Sequence, residues 1–489
     1  MHSSQDADNA VALMRRNSST ILIAILTFSA LSLAVSITSE GFLEADGCTH
    51  YMYAKFAFAE PHYLINIWGR PVCTALYALP AQIGGRFAVR CTSLLLAIAL
   101  SFVSYGIARK LNVRRPELAL TFTLAQPLVF LHSFAELTEL PFALLLGLAF
   151  LAYLNKRWLA FAIFASILPL SRPEGFGFIA LAAIALLGRN RWWWLFILPA
   201  PILIWSYFGW REYASPVAYP WYLWLVNNWP YADKSTYTPG SIAHFAMLLP
   251  AVVSPLIFPA MLIGIWRSIS AKLIDLKLVA AIPLLILIGH SVLYATGRMA
   301  SSGEVRYMLI VAPFWAVLAA IGWHRLFAGR FRRFELRAAL IAAILPCFVN
   351  LIYQVLPLVY QDDWLRAADA VRWMQTSKFA KSHPRVQAAH PGVYYLMGIS
   401  PTDKYQSTEW RLDLIEHPRP GTILLWDWVY GTHNSDRLRI IDPEEIIKAG
   451  WIPVHVPRIE DGWTNRQSTW LVFVSPEPAG DARAIPHSP

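Results

Sequence analysis

Long apolar runs separated by short polar segments fill the first 360 residues of the chain. Read at the length needed to cross a bilayer, they predict about eleven spans. These lie near 20–38, 87–107, 118–131, 140–154, 158–170, 176–187, 192–210, 244–266, 278–295, 308–323 and 338–360. The segment before the first run, 1–19, is polar and is expected to be disordered; the first run reads as an uncleaved signal anchor, because Arg15 and Arg16 precede it and no small-residue cleavage site follows. Between the first two runs lies an unusually long polar stretch, 39–86, whose middle, 51–59, alternates aromatic, small and polar residues as an interfacial helix would.

After residue 360 the pattern changes to that of a soluble domain. Apolar positions Trp364, Ala367, Ala368, Val371 and Met374 have helical spacing. Segments 393–397, 422–429, 452–456 and 469–474 read as strands, and Asp442-Pro443 with Gly450 brackets a short helix. The expectation is therefore an α-helical polytopic membrane protein carrying a small C-terminal α/β domain over 361–489.

Composition strengthens this reading. Hydrophobic residues make up 56% of the chain, charged residues 15%, and the mean hydropathy is +0.43, whereas soluble domains carry about 25% charged residues. The net charge of +10 does not mark a nucleic-acid binder, because Lys and Arg collect in the segments between spans, where orientation requires them. They follow spans two, four, six, eight and ten and precede span one. That distribution places the N-terminus in the cytoplasm and puts the 39–86 loop, the mid-chain breaks and the C-terminal domain on the external face. With no organelle signal evident, the expected location is a bacterial inner membrane, with the C-terminal domain periplasmic. Four cysteines are too few for a disulfide framework; Cys48 and Cys73 share the external loop, and a bridge and two free thiols are both open.

The candidate chemistry lies on that external face. Glu44 and Asp46, two residues apart, stand just after span one, followed by His50, Lys55, Glu60, His62 and Arg70. Ionisable groups beside a bilayer are expensive unless they face water or a site. A carboxylate here could take a proton from an attacking hydroxyl, and its neighbour could orient the acceptor or hold a divalent metal, Mg or Mn. Arg172-Pro173-Glu174-Gly175 breaks a helix at membrane depth, which is tolerated only inside protein or beside water. Glu304, Arg306 and Tyr307 open span ten, a placement suited to an anion. Glu136 and Glu139 form a weaker fourth group, and His50, His62 and His132 lack metal-ligand spacing. Trp221, Tyr222, Trp224 and Trp229, in a second polar loop over 211–243, are candidates to stack on sugar faces or to form an interfacial belt.

The order of these motifs resembles the GT-C class of membrane glycosyltransferases. The first-loop stretch from Glu44 to Lys55 looks like that class's first-loop signature, and Glu304-Val305-Arg306-Tyr307 is similar to the E-x-R-[YF] element of its mannosyltransferase branches; the aminoarabinose transferase branch is also similar. The resemblance covers about 20–360. It implies a sugar moved from a polyprenyl-phosphate carrier to a lipid, glycan or protein acceptor on the external face. Asp46 would be the base, Glu44 its partner, and Arg172 and Arg306 the holders of the lipid phosphate. Glu174, Glu304, Tyr307, Arg70, His50 and Glu136 would complete the substrate site. Many members have adjacent acids where this chain separates Glu44 and Asp46 by Ala45. One rival reading is a lipid or glycan transporter or flippase without covalent chemistry, although no repeated halves are visible; another is a binding or assembly protein that works through its C-terminal domain.

Overall fold

The computed structural model describes residues 2–213, 219–229, 231, 237–327, 334–353, 356–403, 405–408, 412–428, 430–433, 441–457 and 469–476. The chain separates into two compact units, Met1–Val359 and Tyr360–Pro489.

The first unit is helical. Helix α1, His2–Thr38, starts far ahead of the first apolar run. It runs from His2 through the segment expected to be disordered, where Ala10, Ala12, Leu13 and Met14 are strong helix formers and no Pro or Gly intervenes. The 39–86 stretch is also more structured than expected, with helix α2 over Ala45–Phe56 and a 3-10 turn over Pro61–Ile65. Helix α3, Pro71–Lys110, absorbs the rest of the loop; Gly84 and Gly85 kink it, Gly85 at φ 59°, where a side chain would be strained. Both Cys48 and Cys73 are free and buried.

Five helices among the described residues are long and apolar enough to span a bilayer, or up to six if one bent pair counts as a span. This is fewer than the eleven expected. Each expected run contains helix, the last only as far as Tyr353, and several are short or broken. Helices α4 (Glu117–Leu124) and α5 (Pro127–His132) split run three at Pro127. Helices α6 (Glu139–Leu154), α7 (Trp158–Ile167) and α8 (Gly175–Gly188) stay below span length. After α9 (Ala200–Tyr213) and the short α10 (Trp224–Asn227), α11 (His244–Val253) and α12 (Phe258–Ser270) meet at 113°. The bend falls at Ser254-Pro255, with Ser254 at φ 90°.

Helix α13 (Ile274–Thr296) leads to the most enclosed span, a 3-10 segment Val305–Val311 continued by α14 (Ala312–Leu326), whose best window is 83% buried. Small residues let α12 and α14 cross closely: a Cβ on Gly264 would stand 1.8 Å from the Leu318 carbonyl oxygen, and one on Gly322 1.9 Å from that of Ala260. Helix α15 (Glu335–Tyr353) closes the unit.

In the second unit, α16 (Asp362–Thr376) precedes a five-stranded mixed sheet in the order β2-β1-β3-β5-β4. The strands are β1 Arg385–Ala388, β2 Ser407–Thr408, β3 Thr422–Asp427, β4 Ile452–His455 and β5 Trp470–Val474. Strand β3 lies at the centre, fully buried, parallel to β1 and antiparallel to β5. The strand expected at 393–397 is instead helix α17, Pro391–Met397. Pro391 at its start and the His390 side chain, which accepts the Gly392 N–H, initiate a helix that outweighs the strand propensity of Val393 and Tyr394. Short helices α18 (Leu412–Glu416), α19 (Tyr430–His433) and α20 (Pro443–Lys448) complete the unit.

Candidate functional site

Glu44 occupies the N-cap of α2 with extended backbone, and Asp46 lies in the first turn. Both point at one cation from the far end of the sequence. Arg306 Nη1 is 2.6 Å from Glu44 Oε2, and its Nη2 donates to Asp46 Oδ2 at 2.5 Å across 260 positions. Its Nε donates to Glu304, the residue that precedes the 3-10 turn, and lies 3.7 Å from Glu139.

Glu139, in the first turn of α6, joins this cluster to the second arginine. Arg172 Nη1 reaches Glu139 Oε1 at 2.5 Å and Thr138 Oγ1 at 2.9 Å. Arg172 also pairs with Glu174 at 3.0 Å and lies over the Tyr307 ring, 5.6 Å from its centroid. On the other side His290 Nε2 is 3.4 Å from Glu174, and the imidazole stacks on Tyr307 at 4.9 Å. The Tyr307 hydroxyl pairs with Ser302 at 2.9 Å. The break at Arg172-Pro173-Glu174-Gly175 is what lets this pair face inward. Gly175 is required there, because a Cβ would meet the Leu168 carbonyl carbon and the Pro169 nitrogen at 2.3 Å.

The structure thus brings together Glu44, Asp46, Arg172, Glu174, Glu304, Arg306 and Tyr307. Three expected residues lie outside that chain of contacts. Glu136 is bound to Arg90, Nε to Oε1 at 2.8 Å, with both side chains almost fully buried. The same guanidinium caps the carbonyls of Ser36, Ser39 and Gly41, so Glu136 serves packing of the loop entrance rather than the cluster. Arg70, at the unusual φ of 61° for a non-glycine residue, donates to the Ile67 carbonyl and lies over Tyr231. His50 stacks on Trp68 at 4.6 Å, on the same face of α2 as Asp46.

Among the expected aromatics, Trp224 is buried against Trp205 and Leu225, so it packs a core and is closed to a ligand; Trp221 and Tyr222 are exposed. Part of their loop, 214–218, 230 and 232–236, lies outside the described residues. Sequence reasoning underrated Glu139 and missed His290. His290 is an ionisable residue embedded in an apolar run, and that isolation was the available signal.

Charge and exposure divide the two arginines. The five carboxylates Glu44, Asp46, Glu139, Glu174 and Glu304 face two guanidiniums, an excess of negative charge. Arg172 is held by carboxylates that are themselves enclosed, whereas the Arg306 partners Glu44, Asp46 and Glu304 keep 37%, 38% and 35% of their side chains exposed. Both guanidiniums are enclosed, and the cluster reaches solvent through the acids around Arg306. Burial pushes the Glu44 carboxyl up, to about 8, with Glu304, Glu139 and Asp46 adding to the rise and Arg306 opposing it; the exposed part of the side chain also works against it. Burial likewise lowers His50, to about 4, so its imidazole is neutral at ordinary pH. Among the described residues no group of three or more His, Cys, Asp or Glu is placed to hold a metal.

No protein-family profile matches the chain, and no curated protein is similar enough in sequence to count as a relative. Solved structures do match. The chain superposes on ArnT from Cupriavidus metallidurans in the apo state with a TM-score of 0.63 at 12% identity, over 93% of this chain and 98% of that one. The same protein bound to undecaprenyl phosphate gives 0.60 at 12% identity, over 92% and 97%. Nearly the whole chain therefore shares its fold with these two ArnT structures.

Proposed function

We propose that this chain is an integral membrane glycosyltransferase that moves a sugar from a polyprenyl-phosphate carrier to an acceptor on the external face of a bacterial inner membrane. The observation that carries the reading is the convergence of the first-loop acids on Arg306. It joins a candidate base to a candidate phosphate-binding cation at the mouth of a polar cluster set among apolar helices.

In this reading the acceptor hydroxyl attacks the anomeric carbon while Asp46, accessible and held in place by Arg306, takes its proton. The bond from that carbon to the phosphate oxygen breaks, and the carrier leaves as a phosphate anion. Arg306 stabilises the charge that develops on it. Because Glu44 and Glu304 now occupy this guanidinium, the donor phosphate must displace one of them, and a protonated Glu44 is the one most easily displaced. Arg172, locked by Glu139 and Glu174, acts as a positioning group for Glu139 and Tyr307. A divalent ion on Glu44 and Asp46 would have to take both carboxylates from Arg306; the reading favoured here leaves that charge to the guanidinium.

The test is sugar release and transfer by the purified protein with a panel of polyprenyl-phosphate sugars, with and without EDTA. We expect activity with at least one donor, unchanged by EDTA, and lower by about a hundredfold or more in Asp46→Asn. Full activity in that variant would remove Asp46 as the base, and loss in EDTA would restore the metal. Movement of a lipid across sealed vesicles with no new covalent bond would replace the enzyme by a transporter.

A further inference from the structure

A second polar feature lies at the opposite ends of the helices that carry the site acids. Helix α6 begins at Glu139 and α8 just after Glu174, and each ends in basic residues. Over its 16 residues α6 rises about 24 Å, so the basic end is distant from Arg172 and Arg306.

The two ends are built alike. Helix α6 runs into Asn155-Lys156-Arg157-Trp158 and α8 into Arg189-Asn190-Arg191-Trp192. In both, the third-last of these residues before the Trp caps the helix and the next one turns left-handed, Lys156 at φ 58° and Asn190 at φ 55°. In both, the following arginine N–H closes the turn on a helix carbonyl: Arg157 to Ala152 at 2.9 Å, Arg191 to Leu186 at 2.8 Å. Both ends use the same helix-ending motif, which also ends α3 at Asn112, with non-glycine residues accepting a conformation that favours glycine. Its effect is to present Arg157 and Arg191 at equivalent places, each directly before a tryptophan.

They meet at one open cavity of about 780 Å³, whose rim carries the four cations Lys156, Arg157, Arg189 and Arg191. Its apolar wall is Trp158, Leu159, Ile163 and Trp194. Arg189 lies 3.9 Å from the Asp275 carboxylate, and its guanidinium also donates to the Tyr153 hydroxyl at 2.9 Å. The other three cations have no acid of comparable proximity among the contacts of the described residues. Cations around an apolar-walled cavity between membrane helices match a phosphate headgroup with an acyl chain beside it. Tryptophans at that depth fit the headgroup level.

We propose that this cavity is a binding site for an anionic glycerophospholipid, its phosphate taken by Arg157 and Arg191 and its chain laid along Leu159 and Ile163. The site lies away from the polar cluster, so it stands or falls independently of the glycosyltransferase reading.

The experiment is a native mass-spectrometric titration of the purified full chain with phosphatidylglycerol and, separately, phosphatidylcholine of the same acyl chains. The expected result is one phosphatidylglycerol held at least about tenfold tighter than phosphatidylcholine. That preference disappears in Arg157→Gln/Arg191→Gln and survives in Arg157→Lys/Arg191→Lys. Equal affinity for the two lipids would overturn the proposal. So would a preference that persists in the Gln variant, or displacement of the lipid by millimolar inorganic phosphate, which would make the ligand a free anion. Should the Gln variant fail to fold, tail-brominated lipids serve on the wild type. Stronger quenching of tryptophan fluorescence by the glycerol than by the choline lipid supports the site, and equal quenching overturns it.

Discussion

Arg306 gathers three partly exposed carboxylates around one guanidinium, so the protonation of Glu44 controls how firmly that guanidinium is held. With its pKa raised toward about 8, Glu44 is neutral below that pH and competes weakly with an incoming phosphate. As pH climbs through about 8 it ionises and competes fully. We expect the donor KM to rise by about tenfold across that limb, and Glu44→Gln to hold it flat, as read from initial rates between pH 6 and 9.5. The same shift has a stability consequence of defined sign. The unfolded carboxyl ionises near 4.5 while the folded one resists, so the folded state loses stability as pH rises from there through about 8. Thermal unfolding of the Gln variant should lack that loss. Asp46→Asn tests the other acid: transfer should fall by about a hundredfold or more while the melting temperature stays near wild type, because Asn keeps the side-chain shape and an acceptor oxygen for Arg306.

Between elements, the strongest tie to the loop that carries Glu44 and Asp46 is Arg90. From α3 its guanidinium holds Glu136 and the carbonyls of Ser36, Ser39 and Gly41, fixing the end of α1 and the entrance to the loop that carries Glu44. Arg90→Ala would leave Glu136 as a buried charge without its partner, at a cost of about 3–5 kcal/mol. We expect a clear drop in the detergent melting temperature, with Glu136→Gln in the same background recovering part of it. How much was readable from sequence differs by element for physical reasons. The apolar runs were all visible because bilayer solvation demands them, and the three motifs were visible because charge at that depth is rare. The pairing of Arg90 with Glu136 was not: both acids of Glu136-Leu137-Thr138-Glu139 look alike in sequence, and only the turn into α6 decides that Glu139 faces Arg306 and Glu136 faces α3. The helix at Pro391 was hidden for a similar reason, because capping by His390 outweighed strand propensity in a seven-residue segment.

At the scale of the whole molecule, every residue of the polar cluster lies within the first compact unit, Met1–Val359. The last residues of that unit matter more than their position suggests. Leu358 N–H donates to Ser39 Oγ at 2.8 Å, and Gly41 N–H donates to the Leu358 carbonyl at 2.8 Å. Gly41 has no room for a side chain there, since a Cβ would lie 2.5 Å from the Val359 carbonyl oxygen. The strand-like pairing of 39–41 with 358–359 thus closes the same loop entrance that Arg90 holds from the other side. Two truncations separate this contribution from that of the second unit. A chain ending after Tyr360 keeps the pairing, and we expect it to release sugar from a competent donor within about fivefold of the full chain. A chain ending at Tyr353 loses the pairing and should lose release, even though every cluster residue is still present. If both truncations lost activity equally, the second unit would have to contribute to donor chemistry. If both kept it, the pairing of 358–359 with 39–41 would be dispensable and the loop would be held by Arg90 alone.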